Sequence, residues 1–156
     1  MNNKKAVVLL LATAIAIPAE GLRQYAYYAP PGILTACYGS TTNVVKGKKY
    51  SLDECRTRLD ADMLQALSQV DQCVPNLPVN VLAAFADAVY NLGPTITCNT
   101  TKSQAARLLK AGKVIEACNQ LPRWNGYNKT VLGKQIHITL PGLVKRREAE
   151  RQLCLS

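Results

Sequence analysis

Apolar residues along this chain fall into a few blocks, each with its own spacing. Ala6 to Ala19 carries no charge and follows a short basic start with Lys4 and Lys5. It spans about 14 residues, short of the ~20 that a membrane-crossing helix needs. The block ends at Glu20-Gly21. A tyrosine-rich run follows, then Pro30-Pro31-Gly32, a β-prone Ile33 to Tyr38 and a closing Gly39. This pattern predicts a helix end carrying Glu20, then a tight β-hairpin. A hairpin folding back past a helix terminus places Glu20 and Thr35 on one cleft wall. Ser40 to Tyr50 is polar and lysine-rich, a loop or a second small hairpin. Ser51 and Glu54 form a capping-box pair. Leu59, Met63, Leu64, Leu67 and Val70 then keep helical spacing, so a long helix is expected to bridge two lobes. Pro75 and Pro78 break it. Val79 to Leu92 is apolar with small residues and predicts the central helix of the larger lobe, closed near Gly93-Pro94. Ser103 can cap a helix through Leu109, and Lys113 to Leu121 predicts another short one. Asn125 to Leu140 reads as a polar loop, and Gly142-Leu143 opens a last helix.

Composition narrows the setting. A chain of 156 residues with 48% hydrophobic content supports one domain with a real core, arranged in two lobes. The formal charge of +9 favours an anionic partner. Nucleic acid is the weaker choice, because no dense basic run is interleaved with aromatics. Six cysteines in so short a chain favour an oxidising compartment. None forms a CxxC pair, so no zinc site is expected. Spacing alone does not select the disulfide pairs. Cys118 with Cys154 is the leading expectation, because both lie on C-terminal helices that should pack together. Cys37 with Cys55 and Cys73 with Cys98 come next. His137 has no second histidine or paired acid beside it and reads as surface. No metal and no cofactor are expected.

The stretch EGLRQYAYYAPPGILTACYG resembles the catalytic stretch of the phage-type lysozymes, glycoside hydrolase family 24. Glu20, Gly21, Tyr27, Gly32, Thr35, Cys37, Tyr38 and Gly39 fall in register with that pattern. Val89 to Gly93 (VYNLG) and the AC-x-QL-x-RW pattern from Ala117 to Trp124 agree in order. Two positions depart from it. The family's catalytic Asp belongs at position 29, which is Ala29, and Ser40 replaces a common His. The resemblance implies an α+β, mainly α, lysozyme-like fold: a small β-hairpin lobe and a helical lobe joined by a long helix. It implies Glu20 as general acid, Thr35 as the residue placing water or substrate, and position 29 as the seat of a second carboxylate. Tyr27, Gly39, Asn91, Arg146 and Arg147 are the implied substrate-side residues. One of the two arginines should reach toward Glu20. Asn91 also fits a plain helix cap, and Trp124 fits the core better than a sugar platform.

Glycoside hydrolysis usually needs two carboxyl groups. Glu20 can be the acid if a sheltered site raises its pKa. The second group is missing, whether by nature or by engineering. The function implied is a phage endolysin that cuts the glycan strands of bacterial peptidoglycan, acting as a monomer and impaired at position 29. Two rivals remain open: a lytic transglycosylase, which works with one acid, and a non-catalytic peptidoglycan-binding or disulfide-rich interaction protein.

The resemblance also bears on the N-terminus. Residues 1–19 fit an uncleaved signal-arrest-release segment ahead of a catalytic domain at 20–156. Such a segment holds the protein in the host inner membrane and then releases it to the periplasm. Thr13 and the alanines lower the cost of leaving lipid. An ordinary cleaved signal peptide is the alternative, and a buried core helix the remaining one. Cleavage near Ala16 or Ala19 would strip Glu20 of its supporting helix.

Overall fold

A computed structural model describes residues 1–156. The first helix, α1, covers Asn3–Glu20, capped at its start by Asn2, whose side chain accepts from the Lys5 amide. It buries one stripe, Val8, Leu9, Ala12, Thr13 and Ala16. That spacing is one face of a helix. Gly21 ends it with a positive φ of 71°.

Strands β1 (Arg23–Ala29) and β2 (Ile33–Cys37) pair antiparallel, with Tyr27 opposite Thr35 and Ala29 opposite Ile33. Opposed residues share a face. Arg58 ties the following loop to the next helix, donating to the Thr42 and Asn43 carbonyls at 2.6 and 3.0 Å. A small cluster of Ala36, Cys37, Tyr50 and Cys55 fills this lobe.

Helix α2 (Leu52–Cys73) opens with the expected capping box, Ser51 with Glu54. It crosses to the larger lobe and packs on α3 (Val79–Leu92). Short helices α4 (Thr95–Cys98), α5 (Gln104–Lys110) and α6 (Val114–Cys118) follow, then a 3-10 turn at Leu121–Arg123. The helix expected over Lys113 to Leu121 is thus split, and Pro122 lies in the tighter turn. Helix α7 (Pro141–Leu155) closes the chain. α3 sits at the centre of this lobe, in contact with α1, α2 and α7. The resulting core joins Val8, Ala12 and Ala16 of α1 to Phe85, Ile96, Leu121 and Cys154. The architecture is the α+β, mainly helical, two-lobe arrangement expected.

The reading of Asn125 to Leu140 as a polar loop is corrected. The segment is a hairpin of β3 (Gly126–Val131) and β4 (Lys134–Thr139), turning at Leu132-Gly133. Lysines interrupt the apolar alternation on both strands, and the turn lacks the Asn-Gly pair that marks such hairpins.

Three disulfides form: Cys37–Cys55, Cys73–Cys98 and Cys118–Cys154. The last joins α6 to α7 across 36 residues. Serine at both Cys118 and Cys154 should lower unfolding free energy by roughly 3–4 kcal/mol in the chain-entropy model. Urea denaturation of the folded variant checks this, and an unchanged midpoint would contradict it.

Candidate functional site

Glu20 closes α1, and the turn at Gly21 leaves its side chain beside the hairpin. A cleft of about 430 Å³ is lined there by Glu20, Tyr27, Ala29, Thr35, Gly39 and Asn91, among others. Tyr27, Ala29 and Thr35 reach it because they share one face of the β1–β2 ribbon. Thr35 is 3% exposed, and its hydroxyl donates to the Ile33 carbonyl at 2.8 Å. The hydroxyl proton is therefore committed, and its lone pairs are left as acceptors.

Gly39 has a φ of +84°, and a Cβ there would stand 2.9 Å from Glu20 Oε2. Only glycine lets the backbone approach the carboxylate so closely. The Tyr90 hydroxyl donates to the neighbouring Tyr38 carbonyl and fixes that backbone. Burial first, then the charges of Glu20 and Asp62, pushes the Tyr90 phenol well above its ordinary range. It stays a donor.

Behind Glu20 lies a buried charge network. Arg146 Nη1 donates to Glu20 Oε1 at 2.6 Å. Its Nε and Nη2 donate to the two Asp87 oxygens at 2.9 and 2.8 Å. This bidentate fork fixes the guanidinium plane. Asp87 is fully buried and Arg146 is 5% exposed. Burial opposes the arginine's charge, but Asp87 and then Glu20 overcome it and raise the Arg146 pKa.

Arg147, one residue on, points elsewhere around α7. It donates to Asn91 Oδ1 at 2.9 Å and to Glu150 Oε1 at 2.7 Å. Its Nε also lies 2.7 Å from Glu150 Oε2, although that approach lacks hydrogen-bond alignment. We regard it as a charge contact. Burial, and then the neighbouring Asp87 carboxylate, holds Glu150 well above the usual carboxylate range despite Arg147. Burial likewise lowers the Arg147 pKa.

The structure thus brings Glu20, Tyr27, Ala29, Thr35, Gly39 and Asn91 to one cleft. Neither arginine lines it. Both are buried, and each holds a cleft residue in place: Arg146 holds Glu20, and Arg147 holds Asn91. Asn91 lies within the last turn of α3, not at a cap position. Trp124 packs against the core. His137 is exposed between Asn125 and Asn128.

Sequence reasoning missed Asp87, Glu150 and Tyr90. Asp87 carried a usable signal. It is the one charged residue in VNVLAAFADAVYNL, and a lone acid in an apolar helix requires a partner when buried.

These features match known proteins. Residues 18–150 match the family model described as phage lysozyme. The chain belongs to the phage lysozyme family, glycoside hydrolases of the muramidase type. Among its relatives is the SAR-endolysin of Bacteriophage PS119, 34% identical over 138 residues, 87% of this chain and 76% of that protein. The SAR-endolysin of Pseudomonas phage phiKMV is 31% identical and aligns with 98% of this chain and 92% of its own length. The active form of the P1 phage endolysin Lyz shares the fold, with a TM-score of 0.78 at 24% identity, covering 97% of this chain and 91% of that one.

Two outcomes test the buried network. Asp87→Ala should cost about 3–5 kcal/mol, because Arg146 would be left buried without its main counter-charge. A chemical-denaturation loss below 1 kcal/mol, on the order of a surface contact, would contradict it. Glu150 supplies a pH test. Its folded pKa lies above its ordinary 4.5, so above that pH the folded state keeps a proton that the unfolded chain releases. Stability then falls as pH rises, and Glu150→Gln removes that slope. Thermal melts of both proteins between about pH 4 and 8 should show the wild type losing ground to the variant. Parallel profiles would refute the assignment.

Proposed function

We propose that this chain is a phage endolysin that cleaves the glycan strands of bacterial peptidoglycan, with Glu20 as general acid. The observation that carries this is the placement of Glu20. One carboxylate oxygen is held by Arg146 at 2.6 Å, and the other faces the cleft at Gly39. A protonated Glu20 gives its proton to the glycosidic oxygen as the bond to the anomeric carbon breaks. Thr35, whose own proton is engaged, accepts a hydrogen from water and aims that water at the anomeric carbon. The water oxygen bonds to carbon, and its second proton must leave. A carboxylate at position 29 would take it. Ala29 cannot, so this step is slow and the enzyme is impaired.

A second reading has one observation in its favour: Glu20 is the only acid lining the cleft. A transglycosylase needs one carboxyl, which protonates the leaving oxygen and then takes a proton from a sugar hydroxyl that attacks internally. Its products carry anhydro ends, one water lighter than hydrolysis products.

Helix α1 bears on where the protein resides. We assign residues 1–19 as the signal-arrest-release segment and 20–156 as the catalytic part, tethered at the host inner membrane and then free in the periplasm. No helix is long and apolar enough to cross a membrane by itself. Support comes from the composition of α1. Apolar residues run right around it, with Val7 and Leu10 exposed although only one stripe is buried. A helix shaped only for this core would place polar residues on that outer face. A cleaved signal peptide fits less well, because cleavage removes Val8, Leu9, Ala12 and Ala16 from the core.

Ala29→Asp should raise lytic rate on cell-wall suspensions by two or more orders of magnitude, on the order of a restored catalytic group. Turbidity loss measures it, and mass spectrometry of the fragments separates water-added from anhydro ends. A folded Ala29→Asp protein with no gain would reject the two-carboxylate reading.

A further inference from the structure

The β3–β4 hairpin is unexplained by any of this chemistry. Its register sets Tyr127 opposite Ile138, Lys129 opposite Ile136 and Val131 opposite Lys134. These six share one face, because opposed residues in an antiparallel pair point the same way. The other face holds Asn128 opposite His137 and Thr130 opposite Gln135. The ribbon is therefore two-sided: apolar with two lysines on one side, neutral and polar on the other. Its strands pack chiefly on each other, and Tyr127, Val131 and Ile136 remain exposed.

The turn adds an independent observation. Leu132 and Gly133 both have positive φ, 50° and 75°. Such a turn favours Asn-Gly, and a leucine in left-handed backbone is strained. Leu132 is also 98% exposed. The strain places a large apolar side chain at the outermost point of the hairpin, where it touches nothing. A strained backbone with no structural return points to a binding role.

We propose that this hairpin is a contact surface for an anionic lipid bilayer, with Leu132 entering the acyl boundary and Lys129 and Lys134 meeting the headgroups. Apolar residues beside basic ones fit that interface. A glycan fits less well, because sugars stack on aromatic rings and Tyr127 is the only one on this face. A second copy fits less well, because its lysines and the overall charge of +9 oppose self-association. The surface would keep the folded enzyme close to the membrane after α1 has joined the core.

The test uses the full chain and phosphatidylcholine vesicles, with and without phosphatidylglycerol. Leu132→Asn suits the turn, and Ile136→Thr keeps strand preference, so the double variant should fold, with unchanged circular dichroism. It should partition onto anionic vesicles about tenfold more weakly than wild type. Lys129→Gln with Lys134→Gln should lose a similar factor on anionic vesicles and little on neutral ones. α1 is the same in every protein, so it does not create the difference. Leu132→Trp gives a direct reading, since brominated lipids should quench fluorescence gained at the tip. Equal partitioning of wild type and L132N/I136T overturns the proposal. So does the absence of tip quenching on bound vesicles, or a wild-type dimer that L132N/I136T dissolves.

Discussion

Arg146 makes the contact on which the site depends. Its fork reaches down to Asp87 on α3, and its remaining amino group reaches out to Glu20 at the end of α1. One side chain therefore joins the first helix, the central helix and the last. A charged guanidinium is costly to bury unless its donors are satisfied. Asp87 removes that cost and dictates the plane of the group. Glu20 is then held by a rigid partner and not by its own rotamer preference. The Glu20 carboxylate is set by tertiary packing from residues far away in sequence.

Arg147 makes a less complete version one step around α7, where Nη2 alone donates to both Glu150 and Asn91 and Nε and Nη1 lack hydrogen-bond partners. Glu150 sits beneath it as Asp87 sits beneath Arg146, and Asn91 takes the place of Glu20. The two pairs are not electrically alike. Asp87 compensates a full positive charge, whereas burial and the nearby Asp87 favour the protonated form of Glu150. Two carboxyls and two guanidiniums packed this closely give the cleft floor little freedom. Gly39 and Tyr90 fix the opposite side by holding backbone against Glu20.

Much of this was legible in the chain. Glycine and proline punctuate the stretch from Gly21 to Gly39 strongly enough to fix a helix end and a hairpin, and the period-2 alternation of β1 then puts Tyr27 and Ala29 on one face. The capping box at Ser51 and the spacing of Leu59, Met63 and Leu67 marked α2. The resemblance marked one arginine of the pair as reaching toward Glu20, and Arg146 does so. The rest of the network was not legible, because helical spacing on α7 does not reveal the partners on α3. Asp87 was missed although it is the one acid in an apolar helix, and nothing in the sequence names its partner. The β3–β4 hairpin was hidden because Lys129 and Lys134 occupy positions where apolar residues would have shown the period, and Leu132 where Asn would have shown the turn.

Helix α1 belongs to both the core and the cleft. Val8, Ala12 and Ala16 fill the core under α3, and Glu20 reaches Arg146 only from the end of that helix. A chain that begins after the helix would lack both. The direct measurement is the N-terminus and intact mass of the soluble periplasmic form, taken together with its lytic activity in an Ala29→Asp background. A chain that still begins near Met1 is the expected result. A fully stable, lytic form beginning at Ile17 or Glu20 would contradict it.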